Sequence, residues 1–129
     1  MPRKPEDIKN SIINGQTVIG IELGSTRIKT VMTDEYNMPI AAGNHDWENS
    51  YVENIWTYSL DDIWNGIRKS YRNMIDNVKE QFGVSVTKVK AIGLSGMMHG
   101  YMVFDKNGEL LTPFRTWRNN ITGQASEAL

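Results

Sequence analysis

Two different rhythms of apolar residues run along this chain. From Thr17 to Leu23 the sequence is Thr-Val-Ile-Gly-Ile-Glu-Leu, β-branched and apolar, bounded by Gly15 and Gly24. That run predicts a buried strand. Ile28 to Thr33 predicts a second strand, with Ile28, Thr30 and Met32 on one side and Lys29 and Val31 on the other. Met38 to His45 predicts a third, and Pro39 near its beginning suits an edge or a strand start. The turns between them, Gly24-Ser25-Thr26 and Asp34-Glu35-Tyr36-Asn37, are short enough for an antiparallel meander. Trp47 to Ser59 is then an aromatic-bearing loop. The rhythm changes at Ile63, Ile67, Tyr71, Met74, Ile75, Val78 and Phe82, which recur at helical spacing. Ser59-Leu60-Asp61-Asp62 supplies a capping box for that helix, and Gly83 closes it. Val89 to Ser95 and Tyr101 to Phe104 predict two further strands, the second turned at Asp105-Lys106-Asn107-Gly108. Upstream, residues 5–14 predict a short helix that begins at Pro5 and stops at Asn14-Gly15. The order β-β-β-α-β-β from residue 17 onward predicts an α/β domain with a mixed sheet.

Composition narrows the function classes. The chain has 129 residues, 14 Lys+Arg against 15 Asp+Glu, and a formal charge of −1. At roughly 100–200 residues per domain this is one domain. A near-neutral chain without a basic cluster is a poor nucleic-acid binder. No apolar run approaches the roughly 20 residues that span a bilayer, and the mixed charges of residues 1–15 are not those of a signal peptide. There is no cysteine, which excludes a disulfide framework and thiolate metal sites and fits a cytoplasmic protein.

Two segments carry candidate chemistry. In the first, IGIELGSTRIKTVMTDE (residues 19–35), a strand delivers Glu22 just ahead of Gly24-Ser25-Thr26, and Lys29 points back from the next strand. Glycine allows a polyphosphate close to the backbone, and turn amides and hydroxyls donate to its oxygens. Lys29 adds a point charge, and Glu22 can hold a Mg²⁺ ion through its waters. A Gly-Ser-Thr turn between strands equally serves plain structure. The segment is neither a Walker A loop nor a dinucleotide fingerprint, because no GK[ST] is present and a strand, not a helix, follows the turn. In the second, AIGLSGMMHGYMVFDKNGELLTPFRTWRNN (residues 91–120), a strand ends at Ser95-Gly96 and Met97-Met98-His99-Gly100 turns at its carboxyl end, where α/β ligands bind. Met98, His99, Trp117, Arg118 and Asn119 are candidate contacts to a polyol: a flat apolar ring plus hydrogen-bonding tips. Taken singly, His99 reads as a satisfied turn residue, Met97 and Met98 as core filler, and Trp117 as a loop anchor on the core. Trp56 and Trp64 read as packing residues, and His45 is given no role.

Together the two segments resemble the N-terminal domain of the FGGY carbohydrate kinases, over residues 17 to the end of the chain. That family carries Asp-x-Gly-Thr-Thr/Ser followed by a basic residue, then Ser-Gly-Gln-Met-His-Gly, then Trp-Asn/Lys-Asp. Here these stand as Glu22-Leu23-Gly24-Ser25-Thr26 with Lys29, Ser95-Gly96-Met97-Met98-His99-Gly100, and Trp117-Arg118-Asn119. The Met-His-Gly turn is most similar to that of xylulose kinases, with ribulose kinases next. The resemblance implies a ribonuclease H-like, actin-like ATPase domain. It implies ATP phosphates and Mg²⁺ at the first turn, and a sugar, a pentulose by preference, at the second turn and the Trp segment. In the family the catalytic base and most of the adenosine site belong to a second domain. The expectation is therefore a first-domain fragment, preceded by an extension over residues 1–16, with no catalytic base of its own and no activity alone. Surface left uncovered in such a fragment would make a homodimer unsurprising. Three positions depart from the pattern: Glu22 for Asp, Met97 for Gln and Asn119 for Asp. The alternatives are an actin- or chaperone-like assembly ATPase fragment and a non-catalytic sugar-binding domain. Read from the residues, the assignment depends on Glu22 and Lys29 sharing a cleft with His99, and a structure that directs them away from it would sink that reading.

Overall fold

The computed structural model describes residues 3–129. Helix α1 (Pro5–Ile13) precedes the meander β1 (Val18–Leu23), β2 (Arg27–Thr33) and β3 (Pro39–Asp46). A small hairpin, β4 (Ser50–Val52) and β5 (Ile55–Thr57), leads into the long helix α2 (Leu60–Phe82). Strand β6 (Ala91–Ser95) and a short terminal helix, α3 (Gly123–Ala128), complete the chain. The main sheet has the order β3-β2-β1-β6. The β1/β2 and β2/β3 pairs are antiparallel and β1/β6 is parallel, so the sheet is mixed as expected.

Strand parity decides what each face of the sheet does. Ile19 and Ile21 on β1, Ile28 and Met32 on β2, and Ala41 on β3 point into one core with Ile12 of α1 and Met74 and Val78 of α2. Helix α2 packs mainly on β3 and β2. It comes close enough that Gly43 lies directly beneath the backbone of Ser70, Asn73 and Met74. Thr30 and Ser70 share a buried hydroxyl–hydroxyl hydrogen bond of 2.8 Å across that contact. The opposite residues of the same strands, Gly20, Glu22 and Lys29, are exposed on the other, open face. Strand β6 lies beyond the cover of α2, which leaves Ile92 and Leu94 exposed.

The helix ends form as the sequence predicts. Ser59 accepts a hydrogen bond from the Asp62 amide at 3.0 Å, the serine half of the expected capping box. Gly83, at φ 66°, ends α2 in the left-handed conformation. Two segments differ. The aromatic loop contains the β4/β5 hairpin, turned by Glu53 and Asn54, both at positive φ. Such a pair of positive φ values suits a two-residue hairpin turn. The expected strand at Tyr101–Phe104 is reduced to isolated bridges, Tyr101 to Arg115 and Phe104 to Leu110. The Asp105 carboxylate gathers the amides of Asn107 and Glu109 into a tight local turn, and Pro113 has no amide to donate to a ladder. Trp64, expected to pack, is 54% exposed.

Helix α1 is tied to the β2–β3 turn by charge. The Arg3 guanidinium donates to Asp34 Oδ2 at 3.0 Å and to Ser11 Oγ at 3.1 Å, and it pairs with Glu35 at 3.0 Å. Burial pushes the Asp34 carboxyl up. The Arg3 hydrogen bond and those from the Met38 and Tyr36 amides outweigh burial and hold it below the ordinary carboxylate value. A depressed folded-state pKa stabilises the fold above the unfolded value, and that stability is lost as pH falls through the folded one. On acidification, α1 amides are therefore expected to lose hydrogen-exchange protection before those of α2. In Asp34→Asn the acid-dependent step should shrink to the part carried by Glu35, which also pairs with Arg3.

Candidate functional site

The turn between β1 and β2 is built from both sides. The Gly24 amide donates to the Arg27 carbonyl at 2.9 Å, closing a tight loop. A Cβ on residue 24 would lie 2.8 Å from that carbonyl oxygen, so the turn in this form needs glycine. The backbone amides of Ser25 and Thr26 find no acceptor among the described residues. One strand pair further on, Glu22 stands directly opposite Lys29 in the β1/β2 register. Both line a depression of about 340 Å³ on the open face, together with Gly20, Val31, Gly93, Leu94 and Ser95. Lys29 forms no ion pair among the described residues. Two unpartnered amides, a glycine and an uncommitted ammonium along one hairpin suit an anion with several oxygens.

A single carboxylate, Glu22, lines this depression. That donor set suits Mg²⁺, which keeps most of its waters and takes one or two carboxylates alongside substrate phosphates. Glu22 is thus the residue that would hold such an ion, through its waters.

The second segment lies on the other side of the strand ends. Met97 and Gly100 line a separate, smaller pocket of about 200 Å³ with Leu23, Trp47, Ile63, Met102 and Phe114, on the face covered by α2. Met98 and His99 are exposed, and His99 lines neither hollow. The described chain therefore brings Glu22 and Lys29 together but does not bring His99 to them, contrary to the expectation of one shared cleft. The reason is parity: Glu22 faces the open side, and the Met-Met-His-Gly turn leaves β6 beside Leu23, which faces α2.

Trp117 and Arg118 form an exposed group. The Arg118 guanidinium lies 4.6 Å from the centre of the Trp56 ring and 5.7 Å from that of Trp117. Such contacts hold the cation over the ring faces. Asn119 is otherwise engaged. Its Oδ1 accepts from the Trp56 amide at 2.9 Å, and its Nδ2 donates to the carbonyls of Trp56 at 2.8 Å and Thr116 at 3.1 Å. Both of its N–H donors are therefore committed to backbone and unavailable to a ligand. This explains an amide where the resemblance leads one to expect Asp: a carboxylate accepts only and would face two carbonyl oxygens.

Sequence reasoning missed three residues that shape the site. Trp56 carries Arg118. Trp47 and Tyr58, stacked with ring centres 4.0 Å apart, grip the β1–β2 turn from behind. Burial raises the Tyr58 phenol above its usual pKa. The only signal for them in the sequence was the density of aromatics in the loop at 47–59.

The family is decided by comparison with known proteins, not by a shared cleft. The profile of the N-terminal domain of the FGGY family of carbohydrate kinases matches residues 17–129. The chain is similar to xylulose kinase of Escherichia coli (strain K12), 25% identical over 107 residues, covering 82% of this chain and 21% of that protein. Among solved structures, gluconate kinase from Lactobacillus acidophilus superposes with a TM-score of 0.68 at 20% identity, over 87% of this chain and 22% of that one. Glycerol kinase from Plasmodium falciparum, solved with ADP, gives 0.65 at 16% identity, again over 87% and 22%. The chain thus spans about a fifth of the length of the curated relatives it matches. No described helix is long and apolar enough to cross a membrane.

Proposed function

The chain belongs to the FGGY family of carbohydrate kinases, and from that premise we propose that it is the N-terminal part of the first domain of an ATP-dependent sugar kinase acting on a pentulose. The observation that carries the reading is the β1–β2 hairpin: unpartnered amides at Ser25 and Thr26, with Lys29 and Glu22 paired across the register beside them. In the whole enzyme a sugar hydroxyl attacks the γ-phosphoryl group of ATP. Phosphoryl transfer of this kind is mostly positioning and charge stabilisation. Gly24, Ser25 and Thr26 bind phosphate oxygens through backbone and hydroxyl donors, and Lys29 neutralises charge there. Mg²⁺, held by Glu22 through water, adds charge neutralisation when bound. Met98, His99, Trp117 and Arg118 form the acceptor side. Asn119 contributes indirectly, by fixing the backbone of Trp56 against the turn at Thr116.

The pentulose assignment rests on the Met-His-Gly turn and on relatives named xylulose kinase. Family membership favours the kinase reading over an assembly ATPase or a non-catalytic sugar-binding domain. The base that accepts the hydroxyl proton is assigned to a second domain, and a cytoplasmic location suits an ATP-consuming enzyme of sugar metabolism. The test is ADP release with ATP, Mg²⁺ and a panel of pentuloses, hexuloses and polyols. The whole enzyme is expected to release ADP in a sugar-dependent way, fastest with a pentulose, while the 129-residue chain releases none above blank. Sugar-independent ATP hydrolysis by the whole protein, or robust turnover by the chain alone, contradicts the proposal.

A further inference from the structure

Three consecutive carbonyls of the β1–β2 turn are each held by an aromatic residue of the segment that follows β3. The Trp47 indole N–H donates to the Gly24 carbonyl at 2.7 Å, and the Trp47 amide donates to the Thr26 carbonyl at 3.1 Å. Between them the Tyr58 hydroxyl donates to the Ser25 carbonyl. Tyr58 has one proton to give. Asn49 Nδ2 donates to its oxygen at 3.1 Å, which leaves that proton for Ser25. Tyr58 is itself buried, between the Trp47 ring and the Phe114 ring.

The peptide bond is planar and trans, so each carbonyl points opposite to the amide of the next residue. Gripping the carbonyls of Gly24 and Ser25 from the aromatic side therefore turns the amides of Ser25 and Thr26 away from it. Those are the amides of the turn that find no acceptor among the described residues. We infer that Trp47 and Tyr58 are positioning residues that preset the turn's amides as an anion nest. This rests on the phosphate reading above and deepens it. The residues touch no phosphate themselves. They act through the carbonyls, by removing the alternative in which the peptide planes flip and the amides turn inward. Donors fixed before the ligand arrives bind it without paying for reorganisation.

The test is a titration of the ¹⁵N-labelled chain with sodium tripolyphosphate, read at the amides of Gly24, Ser25 and Thr26. Tyr58→Phe keeps the stacked ring and removes the donor, and Trp47→Phe removes the indole N–H while keeping a ring. Each is expected to weaken the dissociation constant roughly three- to tenfold, the scale of one hydrogen bond. Ser70→Ala breaks the buried bond to Thr30 away from the turn. It is expected to lower stability and leave the constant unchanged. Wild-type affinity in both aromatic variants overturns the inference, and so does an equal loss in Ser70→Ala, since the effect would then be general loosening. If the unmodified chain binds but through other amides, or does not bind, the phosphate reading falls and takes this inference with it.

Discussion

Gly43→Ala is expected to destabilise the fold by about 3 kcal/mol, at the upper end of what overpacking costs. The position is at the centre of β3, where α2 crosses the sheet. An added Cβ would press into the Ser70 carbonyl and the Met74 amide and would lie 2.8 Å from the Asn73 carbonyl carbon. These are backbone atoms of a regular helix, so no rotamer change relieves the clash and the whole of α2 must lift. Lifting α2 loosens Met74 and Val78 from Ile28 and Met32 and stretches the Thr30–Ser70 bond. Thermal unfolding should show a midpoint lower by roughly 10 °C for a domain of this size. Gly93→Ala, with nothing within 4 Å of the added carbon, is expected to leave the midpoint near that of the parent. A Gly43→Ala midpoint equal to that of Gly93→Ala would mean that α2 does not sit on β3 as closely as described.

The second large effect is on catalysis. In the whole enzyme, Lys29→Ala is expected to lower kcat/KM for ATP by roughly a hundredfold or more, the scale seen when one preorganised charge-stabilising group is removed. Lys29 is exposed on β2 with no ion pair among the described residues, so its loss leaves no buried charge unpaired. Thermal stability should therefore stay within about 0.5 kcal/mol of the parent, as for most surface changes. Steady-state rates at varied ATP and at varied sugar separate the cases. The proposal places the loss in the ATP terms and in kcat, with the sugar KM little changed. Unchanged rates at saturating ATP would remove Lys29 from the phosphate site.

The fold was legible where the sequence repeats a pattern over many residues. The period of Ile63 to Phe82, the serine cap and Gly83 mark α2, and Ile19/Ile21 against Gly20/Glu22 mark which face of β1 is covered. The strand at Tyr101–Phe104 was over-read, because four apolar residues say nothing about whether a partner ladder exists. Here Asp105 and Pro113 deny one. The β4/β5 hairpin was missed because Glu53-Asn54 lacks the glycine that usually announces a positive-φ turn. At the candidate site, motif spacing pointed to Glu22, Gly24 and Lys29, and the hairpin register sets Glu22 opposite Lys29. It could not find that Asn119 is consumed by Trp56, since the two are 63 residues apart. Nor could it find that Trp47, next after the Arg27–Asp46 register pair, turns its indole onto Gly24, or that Tyr58 reaches Ser25 from 33 residues away.

The central claim is a location: a nucleotide's phosphates at the β1–β2 hairpin, with the metal beside Glu22. Replacing Mg²⁺ by paramagnetic Mn²⁺ tests it directly. With Mn²⁺ and ATP added to the ¹⁵N-labelled chain, amide signals should broaden first at residues 22–29, with little change at 97–100 and 115–119. Glu22→Gln should weaken the broadening without moving its centre. Broadening centred on the Met-Met-His-Gly turn or the Trp117 segment, or spread without preference over the chain, would contradict the account.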